Sequence, residues 1–171
     1  MDYQIENVYV DTEKMLQQTY QKFYGRISVI RFTLMSIFGL TFVVLGIFLE
    51  KSFYYWMAPI YIAVAVWYLI LPCRLAKKEY KKTLKYHDGN IPETVVRFGD
   101  VITMTQGDCV HTLPYNKLKK VCVLKDCLLL YNEMGGAHLI ARDGFTKGSM
   151  QEMFTLLRAK SPQAKMPDWQ W

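Results

Sequence analysis

Charge is missing from two long stretches of this 171-residue chain. Residues 32–49 form a run of eighteen without Asp, Glu, Lys or Arg, and residues 52–73 form a run of twenty-two. A polar stripe is missing too. Ser36 and Thr41 interrupt the first run without forming a face, whereas a surface helix of a soluble protein shows polar residues every third or fourth position. At a rise of about 1.5 Å per residue the runs reach roughly 27 and 33 Å, against a bilayer hydrocarbon core of about 30 Å. With only Glu50 and Lys51 between them, the runs predict a hairpin of transmembrane helices rather than a buried hairpin in a soluble bundle. A cleaved leader fits poorly, because some thirty residues of mixed charge precede the first run and a second run follows at once.

Cysteine is scarce. Cys73, Cys109, Cys122 and Cys127 include no CxxC pair, and no histidine stands near Cys122 and Cys127 at ligand spacing. Zinc is therefore not expected. The thiols read as small buried hydrophobes in a reducing compartment. A Gly-rich phosphate loop and a recognisable acid pair are also missing. No charge lies inside either run, so an ion or proton pathway is not expected. Cys109 and His111, two apart on an expected strand, point to one face and are the nearest approach to a thiol and its base. Without a third orienting group, ordinary strand residues are the stronger reading. His87-Asp88 reads as a turn, and His138 lies beside glycines in a hairpin. The chain is expected to be no enzyme, with no cofactor and no metal.

What is present is positive charge, unevenly placed. Lys and Arg number 21 against 15 Asp and Glu, a net charge of +6. After the second run comes "RLAKKEYKKTLKY", with Arg74, Lys77, Lys78, Lys81, Lys82 and Lys85 against Glu79. Lys14, Lys22, Arg26 and Arg31 precede the first run, and the tip between the runs has Lys51. Positive residues collect on the cytoplasmic side of spans. Both termini are expected there, with Glu50-Lys51 outside. The same distribution argues against a nucleic-acid partner. The six basic residues after the second run are expected to touch the membrane surface. Lys77, Lys81 and Lys85 make one stripe there, and Ala76, Tyr80 and Leu84 another. With lysines read on two faces, and Arg97 nearly cancelled by Asp100 in "RFGDV", weak salt-sensitive attraction to anionic lipid is expected rather than a headgroup pocket. Tyr54, Tyr55 and Trp56, after Phe53, make an interfacial aromatic belt. Gly39 and Gly46, and Ala58 and Ala65, recur at seven residues. Such small residues pack helices within the hairpin or between copies, and the sequence leaves both open.

The expected organisation is an N-terminal strand and amphipathic helix (1–26), two spans (27–49 and 52–73), a basic juxtamembrane helix (74–90), a cytoplasmic domain (91–160) and a tail (161–171). Tyr3 and Ile5 alternate, so the first strand is expected to join the cytoplasmic sheet. Asp11 or Thr12 can cap the following helix. From Glu93 short β-rich runs alternate with turns at Gly99-Asp100, Gly107-Asp108 and Glu133–Gly136, an antiparallel meander. "SMQEMFTLLRAK" reads as a helix whose capping box is Ser149 and Glu152. Trp169 and Trp171 in the tail are candidates for touching a surface or partner. The fold class is an α+β membrane protein: a transmembrane helical hairpin plus an antiparallel β-meander capped by one C-terminal α-helix.

That order resembles a pleckstrin-homology-like domain. Two adjacent spans, a basic helix, a meander containing "LPYNKLKKV" and the corner "ARDGFTKGSMQEMFTLL", with Arg142 and Phe145, resemble the YcxB-like family of bacterial membrane proteins over nearly the whole chain. The corner departs from the family's usual pattern at Ala141 and Asp143. The resemblance implies a fold and a bacterial inner-membrane location; the family brings no activity with it. The expected function is a membrane-anchored interaction or sensory module, its sheet binding a peptide, protein or lipid. The alternative is a protective protein against a toxin. Expected partners are the lipid bilayer and an unidentified protein or a second copy.

Overall fold

The computed structural model describes residues 4–167. Tyr3, Trp169 and Trp171 lie outside the described residues. The chain divides into two compact units: Leu16–Lys82, and Met1–Met15 together with Thr83–Trp171.

The first unit is a helical hairpin. Helix α1 runs Glu13–Leu49 and α2 runs Ser52–Tyr86, both long and apolar enough to cross a membrane. The reversal places Glu50 at φ 52°. Small residues let the helices close. Gly39 lies against Ala58 and Tyr61, and a Cβ on Gly46 would stand 3.1 Å from the Tyr55 ring. Phe42 stacks on Tyr61 at 5.1 Å. On α2 the buried residues are Ala58, Ala65, Pro72 and Ala76. The small-residue seams are therefore used inside the hairpin. The large side chains point away from it: Leu40 is 66% exposed, Phe48 80% and Trp56 73%. Thr33, Ser36 and Thr41 donate their hydroxyls to Val29, Phe32 and Ile37 carbonyls on their own helix, the local solution where no water is at hand.

The second unit is built from two antiparallel sheets and a helix. Its strands are β1 (Ile5–Tyr9), β2 (Thr94–Phe98), β3 (Ile102–Gln106), β4 (Cys109–Leu113), β5 (Leu118–Val123), β6 (Cys127–Asn132), β7 (Ala137–Ala141) and β8 (Phe145–Lys147), followed by α3 (Met150–Lys160). The larger sheet has the order β4-β3-β2-β1-β8 and the smaller β5-β6-β7. The expected meander thus divides after β4, where Pro114 and one 3-10 turn, Tyr115–Lys117, redirect the chain.

Alternation gives the larger sheet one buried face. The cross-strand row Ile5, Phe98, Ile102 and Leu113 is wholly apolar and buried. The next row on that face holds Asn7, Val96, Met104 and His111, and the third holds Tyr9, Thr94, Gln106 and Cys109. The face therefore grades from apolar to polar along the strands. Leu118, Val121, Leu128, Leu130 and Ile140 of the smaller sheet and Met153, Phe154 and Leu157 of α3 complete the core with the apolar row. The capping box is formed as read: Ser149 Oγ accepts from Glu152 N at 3.2 Å, and Glu152 Oε2 accepts from Ser149 N at 2.9 Å.

Strand β1 is interior. It pairs with β2 along its whole length and with β8 at Glu6 and Asn7. The sheet unit is consequently discontinuous in sequence, and residues 91–160 are only part of it. The "RDGF" corner is also more than a connection. Phe145 begins β8, and the Arg142 amide and guanidinium donate to the Asp126 and Lys125 carbonyls at 3.1 and 3.2 Å. Gly144 fits because a Cβ there would come within 2.6 Å of the Val8 carbonyl oxygen. The described tail residues are tied down. Ser161 Oγ donates to the Tyr115 carbonyl at 2.9 Å, and Lys165 bridges β5 in parallel. At the start of α1 it is Thr12 that caps, its Oγ1 accepting from Met15 N at 3.3 Å.

Candidate functional site: the open edge of the larger sheet

Two open sheets have four edges, and an uncovered edge is a template for another strand. Two of the four are closed here, and a third is short. The β5 edge is occupied by the tail: Val121 N donates to Lys165 O at 2.9 Å, and Lys165 N donates to Lys119 O at 3.0 Å. The β7 edge is closed by side chains from β1, with Asn7 Nδ2 donating to Ala141 O at 2.8 Å and Tyr9 Oη to Leu139 O. The β8 edge is three residues long and ends on Lys147. Strand β4 is the fourth.

Cys109, Val110, His111 and Thr112 are all exposed, Val110 to 60%. The strand carries no charge, proline or bulge, the usual devices that blunt an edge. Its register decides which groups are free. Gly107, at φ 55°, and Asp108 link Gln106 to Cys109 in a two-residue hairpin, which makes Gln106 and Cys109 a hydrogen-bonded pair. Alternation then makes Met104 with His111 another such pair. Val110 and Thr112 are left with N–H and C=O directed outward. Behind the edge, on the smaller sheet, lies His138. Its imidazole pKa is lowered, first by burial and then by the neighbouring His111. A histidine depressed in the folded state costs stability as the pH drops below its unfolded value near 6.5, because the unfolded chain then binds the proton more readily. We expect thermal stability to decline below about pH 6.5, and His138→Gln to flatten that decline. An unchanged slope in the variant would show that His138 is not its source.

The residues singled out by sequence fall elsewhere. Arg74, Lys77, Lys78, Lys81, Lys82 and Lys85 are all exposed on α2. At 100° per residue they occupy one arc of about 140°, not two faces. Arg74 lies over the Trp67 ring at 4.4 Å, and Lys82 is 3.9 Å from Glu79. Tyr54 stacks beside Phe42, Tyr55 lies against Gly46 and Trp56 is open. Arg97 is held by Glu6, directly opposite on β1, at 2.8 Å, rather than by Asp100. Cys109 and His111 do share a side of β4, the side on which Leu113 is buried, and both are exposed. Among the described residues no group of three or more His, Cys, Asp and Glu is placed to hold a metal ion. The open edge itself is invisible to local pattern, because it depends on which strands end up beside which.

No family model, curated protein or solved structure matches this chain.

Proposed function

We propose that the chain is a two-span protein of the bacterial inner membrane that holds a strand-accepting interaction module at the cytoplasmic surface. The hairpin anchors it, with Glu50-Lys51 outside and both termini inside. The positive charge flanking the runs favours that orientation. The basic arc of α2 rests against anionic headgroups, each lysine adding about 1 kcal/mol of attraction. Two sheets closed by a C-terminal helix support a pleckstrin-homology-like domain of the YcxB-like kind. Binding is by β-augmentation, in which main-chain hydrogen bonds supply affinity and alternate side chains supply selectivity. The observation that carries this function is the uncharged, exposed, five-residue β4, left open where the β5 and β7 edges are closed and the β8 edge is three residues long.

A photoreactive residue tests it in native membranes. At Thr112 it is expected to give protein adducts of defined mass, and Val110→Pro, which removes an outward N–H and leaves the β3 pairing intact, is expected to abolish them. The same probe at Lys119, on the closed β5 edge, is expected to give few. Equal labelling at the two positions, or adducts indifferent to the proline, would overturn the assignment.

A further inference from the structure

The open edge fits a second copy of this chain. We infer that β4 pairs antiparallel with β4 of a second copy about a twofold axis through His111, joining the two larger sheets into one. This rests on the strand-accepting function proposed above and names the strand accepted.

Register supports the pairing. With His111 opposite the second copy's His111, Val110 faces the second copy's Thr112 and Cys109 faces the second copy's Leu113. Val110 and Thr112 are the residues with outward N–H and C=O groups, so each such pair exchanges two hydrogen bonds. The two His111 residues then form the non-hydrogen-bonded pair between them. No other register of β4 against itself centres a symmetric ladder on both free residues. Side chains agree with it. Residues 109–113 are uncharged, and Asp108 falls opposite the second copy's Pro114, so no like charges meet. Strand β5 against itself would bring Lys119 and Lys120 onto lysines, which is destabilising. A twofold contact must be self-complementary in this way.

Size sets the conditions. A five-residue edge with four new hydrogen bonds is small beside the ~1,600 Å² total of a standard stable interface. Copies free in solution would pair weakly. Confinement of both copies to one bilayer raises their effective concentration and makes a weak edge sufficient. The contact is therefore expected to form between anchored chains and to respond to their density in the membrane.

Disulfide trapping of the full chain in phospholipid vesicles reads the register. In a Cys73→Ser, Cys109→Ser background, His111→Cys places thiols on Cα atoms about 4.5 Å apart, inside the range a disulfide accepts. Thr112→Cys places them diagonally, beyond its ~7 Å limit. Mild oxidation is expected to give dimer with His111→Cys at least tenfold faster than with Thr112→Cys, and Val110→Pro is expected to remove that preference. Dilution of the protein in lipid should slow it. Equal rates at the two positions, or no dimer with His111→Cys, overturns self-pairing. The photoreactive probe at Thr112 separates the two claims. Adducts to the chain itself support self-pairing, and adducts only to a different protein refute it while leaving the strand-accepting edge in place.

Discussion

A chain of residues 83–171 expressed without the first strand is expected to show no cooperative unfolding transition and to bind hydrophobic dye. Strand β1 lies between β2 and β8 in the larger sheet, and its removal opens two interior ladders at once. Ile5 leaves the apolar row beside Phe98. Asn7 and Tyr9 leave the carbonyls of Ala141 and Leu139 without their donors, and the β7 edge becomes a further open template. A small unit has stability of roughly 5–15 kcal/mol, and losing an interior strand exceeds that margin. Residues 4–12 returned through a flexible linker after residue 167 are expected to restore the transition. A cooperative transition in residues 83–171 alone would show that β1 is an accessory. The strand's place also gives the hairpin a structural consequence. The segments before α1 and after α2 belong to one folded unit, so the sheet cannot be complete until both long helices have been made.

Phe98→Ala is expected to destabilise the sheet unit by about 3–5 kcal/mol, the largest loss from any single side chain in it. Phe98 is fully buried, sits between Ile5 and Ile102 in the apolar row, and is the largest of the wholly enclosed side chains. Truncation removes its transfer energy and leaves a cavity that β1 and β3 cannot both close. Chemical denaturation of the full chain in detergent, followed by tertiary circular dichroism, should show the sheet transition displaced to much lower denaturant. The helical signal of the hairpin should be unaffected, because its residues belong to the other unit. A shift below about 1 kcal/mol would mean the row is not the centre of the core.

Where a structural feature is set by composition or short spacing, it was legible in the sequence. The hairpin follows from missing charge, the strand breaks from Gly-Asp turns, and the α3 start from Ser149 and Glu152. The first strand's place in the sheet was legible from its alternation and from the pair of apolar runs, which was expected to return both ends of the chain to one side. Features set by distant pairing were not. The three residues of β8 are too few to show a period and gain their strand character from Glu6 and Asn7. The tail looks like a loop because Lys165 contributes one bridge rather than a pattern. The division after β4 is made by Pro114 and a single turn, which local reading joins to the strand beyond. The basic arc was present in the spacing, but the lysines were read on two faces because the stripe Lys77, Lys81 and Lys85 was taken without the neighbouring Arg74, Lys78 and Lys82. The candidate edge was least legible. "CVHTL" looks like any half-buried strand, and only the closing of the β5 and β7 edges and the shortness of β8 single it out.

Two folded segments on one side of a bilayer, joined by a hairpin whose tip is on the other, is the arrangement on which the proposed function depends. Cysteine labelling of intact bacteria with an impermeant maleimide tests it directly, in a background where Cys73 and Cys109, the two native thiols that are not buried, are serine. Lys51→Cys is expected to react from outside. Lys165→Cys is expected to react only after the inner membrane is permeabilised. Reaction of Lys165→Cys in intact cells with Lys51→Cys protected would reverse the orientation, and equal protection of both would contradict a hairpin that crosses the membrane.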